Sequence, residues 1–164
     1  MASTQNITRM ANVSGLGEST LVADGRSARS LTMFIRAGSA SGWLNHAVAF
    51  SDDGGDTWGA ARLLPIVGTT CQGSIGRDAR APAGEVLLAA PDGPAPFRLN
   101  RGNISVWTLD TATQGADPVS RLDVWPDAGG YSDWAQAPSG EVLLLFEAGG
   151  TVYDYGIKIA PIHV

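Results

Sequence analysis

The chain has 164 residues, 44% hydrophobic and only 16% charged, which supplies a packed core and argues against disorder. A net charge of −5 gives no basis for binding nucleic acid or an anionic membrane surface, since both need basic clusters. One cysteine, Cys71, excludes an internal disulfide and a cysteine-based metal centre, and no apolar run approaches the roughly 20 residues that span a bilayer. The first 17 residues show neither the basic nor the apolar region of a leader peptide. Three Asn-x-Ser/Thr triplets, at Asn6, Asn12 and Asn103, are common by chance and carry little weight.

Glycine (21) and proline (9) are spread evenly, calling for many turns and few long helices. No helical period lasts three turns. Short apolar runs between turn signals instead predict strands over residues 19–23, 30–35, 46–50, 61–64, 74–78, 85–89, 103–109, 121–124, 132–136, 141–146 and 155–159. The runs repeat. Ala83-Gly84-Glu85-Val86-Leu87-Leu88 returns as Ser139-Gly140-Glu141-Val142-Leu143-Leu144, 56 residues later. A looser copy, Asp24-Gly25 before Leu31-Thr32-Met33-Phe34-Ile35, precedes both. A repeat of about 40–60 residues with three or four short strands describes a propeller blade, and a ring needs typically four to eight of them. Three fit here, so the pattern itself suggests an incomplete ring. A complete β-sandwich of ten or eleven strands is the alternative that periodicity leaves open.

Between the third and fourth predicted strands stands Ser51-Asp52-Asp53-Gly54-Gly55-Asp56-Thr57-Trp58. It fits Ser-x-Asp-x-Gly-x-Thr-Trp at five positions: Ser51, Asp53, Gly55, Thr57 and Trp58. As a hairpin turn it makes physical sense. Asp53 can accept backbone N–H groups, Gly55 can supply a positive φ, and Trp58 can pack against neighbouring strands. This motif resembles the Asp-box of sialidases and related propellers, where it is a fold signal remote from the active site. Asp53 is therefore read as structural. Thr108-Leu109-Asp110 is a degenerate second copy.

The resemblance to sialidases covers about residues 18–162. It implies an all-β, six-bladed propeller with about three blades in this chain, an N-terminal segment 1–17 of undefined structure, and a partial propeller domain over 18–164. It also implies exo-α-sialidase activity: release of terminal sialic acid from glycoconjugates with retention, by a tyrosine nucleophile. Gly130-Tyr131-Ser132-Asp133-Trp134 is similar to the family's nucleophile segment, with Trp134 in place of a leucine. Tyrosine titrates near pH 10 and needs an adjacent base to attack. A neutral phenol also avoids the repulsion a carboxylate nucleophile would meet at an anionic sugar. In Gly17-Glu18-Ser19-Thr20, Glu18 resembles that base. Arg36, ending the strand Leu31-Thr32-Met33-Phe34-Ile35, and Arg101, in Arg101-Gly102-Asn103-Ile104-Ser105-Val106, resemble two of the three arginines that grip the substrate carboxylate. Arg98 is a nearby rival to Arg101. Glu147, closing Leu144-Leu145-Phe146-Glu147, resembles a glutamate that orients the first arginine. Cys71-Gln72-Gly73-Ser74 and Tyr153-Asp154-Tyr155 resemble structural segments of the family.

Two expected parts have no counterpart. No segment matches the one carrying the first arginine, and none matches the one carrying the acid/base aspartate. Asp24, Asp52 and Asp78 stand in other contexts. The implied partners are a sialylated glycan and an N-terminal half of the same domain, with no nucleic acid and no membrane span. No cofactor or metal is expected; His46 and His163 show no ligand spacing. Two other functions fit the same residues: a glycan-binding propeller module without turnover, and an Asp-box glycosidase of another specificity.

Overall fold

The computed structural model describes residues 16–37, 45–67, 71–92, 101–115, 117–150 and 156–163. Within them the chain forms ten strands and no helix: β1 (Leu16–Ala23), β2 (Leu31–Ala37), β3 (Asn45–Ser51), β4 (Arg62–Val67), β5 (Ser74–Gly76), β6 (Glu85–Pro91), β7 (Gly102–Asp110), β8 (Pro118–Gln136), β9 (Val142–Ala148) and β10 (Gly156–Ile162). Consecutive strands pair antiparallel in two meanders, β1-β2-β3-β4 and β5-β6-β7-β8-β9-β10. Short connections between neighbours favour this topology.

The eighth strand departs from the sequence expectation. Residues 121–124 and 132–136 are not two strands. They belong to one 19-residue strand whose first half pairs with β7 and whose second half pairs with β9. The intervening Pro126-Asp127-Ala128-Gly129-Gly130 runs within this strand, at irregularities in its pairing. Pro126 has no N–H to offer a ladder, and it falls at an irregularity between Trp125 and Ala128. The Trp125 indole N–H donates to the carbonyls of Ala128 and Gly149, 3.2 Å each. Gly129 is required by close approach, since any Cβ there would collide with Ile104. Opposite, Asn103 takes a positive φ of 59° at the same irregularity.

Alternating faces build a layered core. Phe34, Val48, Phe50, Leu64 and Ile66 of the first sheet pack on Ile75, Val86, Leu88, Trp107 and Leu109 of β5–β7. The reverse face of β6 and β7, with Leu87, Ala89, Ile104 and Val106, packs on Val142, Leu144, Phe146 and Ile162 of β9 and β10. The β6 strand is thus covered on both sides, which accounts for its unbroken apolar run. Its sequence repeat, β9, has a similar run but alternates buried with partly exposed positions.

Three strands meet edge to edge. The Ile75 N–H donates to Thr20 Oγ1 at 3.2 Å, joining β5 to β1. Ser74 Oγ and Ser132 Oγ lie 2.8 Å apart, joining β5 to β8, and the Trp134 indole donates to the Ser74 carbonyl at 3.2 Å.

Turn 51–58 links β3 to β4. Asp53 Oδ1 accepts the Thr57 N–H at 2.9 Å, and Asp53 Oδ2 accepts the Thr57 hydroxyl at 2.5 Å. The Ser51 hydroxyl donates to Asp53 at 2.8 Å and accepts the Gly55 N–H at 2.9 Å. Gly55 has φ +92°. Trp58 donates to the Gly55 carbonyl and packs on the outer face of the first sheet beside Ile35, Ala47 and Ala49. These bonds hold the Asp53 carboxyl down at about 2, the Thr57 hydroxyl contributing most. Ser51 pairs with Leu31 at one end of β2, whereas Arg36 lies at the other end.

Candidate active site

Five of the predicted residues collect at one end of the sheets. Glu18 lies near the start of β1, Arg36 near the end of β2, Arg101 just before β7, Tyr131 in the middle of β8 and Glu147 near the end of β9. Glu18 and Tyr131 share a backbone setting. Between Leu16 and Ser19 the β1 strand takes three steps while its partner takes two, from Ala37 to Ile35. Between Gly129 and Ser132 the β8 strand takes three steps while β9 takes two, from Ala148 to Phe146. Each is a one-residue bulge with a glycine just before the candidate residue, in Gly17-Glu18 and Gly130-Tyr131. Bulges re-aim side chains out of the pleat, and here they turn a carboxylate and a phenol towards each other.

The Tyr131 hydroxyl donates to Glu18 Oε1 at 3.2 Å. The other oxygen, Glu18 Oε2, accepts from Arg36 Nη1 at 2.5 Å. Burial alone would pull the Arg36 guanidinium down. The bond to Glu18 and its charge, with smaller contributions from Tyr131, carry it above its ordinary value. The Arg101 guanidinium sits over the Tyr131 ring, 5.4 Å from the centroid, a cation–π arrangement. The Arg101 carbonyl accepts the Gly129 N–H at 3.2 Å, tying the residue to the start of the bulge. Glu147 Oε2 accepts the Tyr131 backbone N–H at 3.0 Å. Tyr131 is 39% exposed, beside a shallow hollow of about 200 Å³ floored by Leu145 and Ile157.

Beneath these charges lies Cys71, fully buried. Burial pushes its thiol up to about 11; the charges of Arg101 and Arg36 oppose this, and those of Glu147 and Glu18 reinforce it. So high a value makes it an inert floor rather than a nucleophile. His46 of β3, its ring 4.9 Å from that of Phe34, is lowered to about 4, by burial first and then by the Arg36 charge. It is neutral at pH 7. The sequence placed Gln72 in a merely structural segment, yet its Oε1 accepts the Ser132 N–H at 3.3 Å, next to the phenol. Nothing in its local sequence signals this, because Gln72 and Ser132 are 60 residues apart.

Turn 51–58 stands apart from the cluster. Arg98 and Tyr153-Asp154-Tyr155 lie outside the described residues. Among the described residues no group of His, Cys, Asp and Glu could hold a metal ion.

A phenol hydrogen-bonded to a carboxylate, flanked by two guanidinium groups, can lose its proton locally while binding an anion alongside. No protein-family model and no curated protein sequence matches the chain. Solved structures do. An intramolecular trans-sialidase from Ruminococcus gnavus, in complex with oseltamivir carboxylate, is 23% identical with a TM-score of 0.59, over 90% of this chain and 32% of that one. The NanB sialidase from Streptococcus pneumoniae is 18% identical with a TM-score of 0.64, over 87% of this chain and 21% of that one. An α-L-arabinofuranosidase from Fusarium graminearum is 15% identical with a TM-score of 0.53, over 80% of this chain and 40% of that one. The chain spans less than half the length of each. It has an all-β fold of the sialidase type, a fold shared with glycoside hydrolases of more than one specificity.

Proposed function

We propose that the chain supplies the nucleophile side of an exo-α-sialidase site, within a six-bladed propeller of which it forms about three blades. The observation that carries this reading is the chain of contacts from Tyr131 through Glu18 to Arg36. In the proposed reaction Arg36 and Arg101 bind the sialic acid carboxylate. The Tyr131 oxygen attacks the anomeric carbon as its proton passes to Glu18 Oε1. The glycosidic bond breaks, and an acid from outside the described residues protonates the leaving oxygen. Water then attacks the anomeric carbon, giving its proton to the conjugate base of that acid, while the bond to Tyr131 breaks and Glu18 returns the proton to the Tyr131 oxygen.

The rest of the ring is the proposed partner. Among the described residues, two sheet faces carry exposed large apolar side chains. On β9 and β10, Leu145 is 41% exposed and Ile157 and Ile159 are each 64% exposed. On the outer face of the first sheet, Leu21 is 56% and Leu63 48% exposed. Ala89, the repeat counterpart of Leu145, is fully buried by a neighbouring layer. Further blades carrying the first arginine and the acid would cover both faces.

Two measurements test the reading. The purified chain is expected to bind a sialic acid-type carboxylate such as oseltamivir carboxylate, and to release a fluorogenic sialoside no faster than background. Measurable release would overturn the half-site assignment. Binding unaffected by Arg101→Ala would overturn the sialic acid assignment. It would favour instead a glycosidase of another specificity, a reading supported by the arabinofuranosidase likeness.

A further inference from the structure

At the bulge that presents Tyr131, two consecutive backbone N–H groups are taken up by side chains rather than by strand carbonyls. The Tyr131 N–H donates to Glu147 Oε2 at 3.0 Å, and the Ser132 N–H donates to Gln72 Oε1 at 3.3 Å. The acceptors come from opposite sides. Glu147 is on β9, the partner across the bulge, and Gln72 lies two residues before β5 on the other flank. Ser132 is fixed further through its hydroxyl, 2.8 Å from Ser74 Oγ.

A bulge disrupts the ladder locally, and a backbone donor buried without a partner there is costly. Ser132 is buried, so its donor carries that cost in full unless satisfied. We infer that Glu147 and Gln72 form a clasp that stabilises the bulge and thereby holds the Tyr131 phenol against Glu18 and beneath Arg101. They are positioning residues. This assigns Glu147 a target within this chain, the Tyr131 amide, where the sequence resemblance implied an arginine, and it gives Gln72 a role that its segment did not suggest. The inference rests on the reading of Tyr131 as nucleophile only for its functional meaning.

Site-resolved amide hydrogen exchange of the full chain, followed by NMR, tests the clasp without relying on turnover. In Glu147→Ala the Tyr131 amide is expected to exchange at least about tenfold faster, while Leu144 and Leu88 stay within about twofold. The nuclear Overhauser contacts between the Tyr131 ring and Arg101 should weaken in parallel. Glu147→Gln keeps an acceptor oxygen and should restore both. Gln72→Ala should accelerate Ser132 in the same way, and Gln72→Glu should restore it. Unchanged Tyr131 exchange in Glu147→Ala overturns the inference. So does a uniform rise across β9, or failure of Glu147→Gln to rescue. If Glu147→Ala does not fold, the Gln72 pair decides by the same criteria. Because the readout is exchange, a failed sialoside experiment leaves this result standing, and the reverse also holds.

Discussion

Tyr131, Glu18 and Arg36 form a relay in which each member is oriented by the next. Removing only the phenolic oxygen should therefore separate binding from chemistry. In an assembled, active domain, Tyr131→Phe is expected to keep sialoside affinity within about threefold and to abolish turnover, read by calorimetry and a fluorogenic assay. Arg101→Ala is expected to weaken binding by about 10- to 100-fold, the scale of a charge-assisted bond worth about 1.5–3 kcal/mol. Asp53 belongs to a different physical story. Its carboxyl is depressed to about 2 from 3.8 by the Thr57 hydroxyl and N–H, so the unfolded chain takes up protons first as pH falls. The contribution of this turn is full above pH 4 and is lost as pH falls through 2. Thr57→Val should move that loss to higher pH, as the Asp53 carbon signal would show in an NMR titration.

Among the strands, β5 and β8 depend on a glycine for their approach. A Cβ on Gly76 would stand 2.5 Å from Cγ and 2.8 Å from Cβ of Trp134, the rigid root of that side chain. Gly76→Ala is expected to destabilise the fold by about 1–3 kcal/mol, read as a lower denaturant midpoint. The β3 strand carries a second acid-sensitive group. His46 is depressed to about 4 from 6.5, so the unfolded state binds the extra proton between these values. The stability it contributes is complete above pH 6.5 and is lost as pH falls towards 4, on the order of 3 kcal/mol. Chemical denaturation at pH 7 and pH 4.5 should show this loss, and His46→Gln should flatten it.

For the molecule as a whole, the described residues expose large apolar side chains at both ends of the layering. Among the described residues β10 has no partner on its outer edge, and the exposed aliphatic face beside it favours association. Ile157→Lys with Ile159→Lys should make the chain more monodisperse in light scattering with little change in its unfolding midpoint. On the proposed reading of a partial propeller, the same pair should also block completion of the site by a polypeptide bearing further blades. If monodispersity is unchanged while the midpoint falls, the face is already covered in solution.

Much of this was legible in the residues themselves. Alternation and turn chemistry located nine of the strands, and the 85-to-141 repeat marked two related units, because short-range sterics and burial period act locally. The resemblance to sialidase segments singled out Glu18, Arg36, Arg101, Tyr131 and Glu147, which the structure brings to one end of the sheets. Sequence by itself could not join 121–124 to 132–136 into one strand, since Pro and Gly signal a turn and a bulge alike. Nor could it show that Glu18 and Tyr131 are both raised on bulges, that Gln72 caps Ser132, or that Glu147 meets the Tyr131 amide. Those facts depend on pairing register and on contacts between residues 16 to 113 positions apart, which exist only once the sheets are stacked.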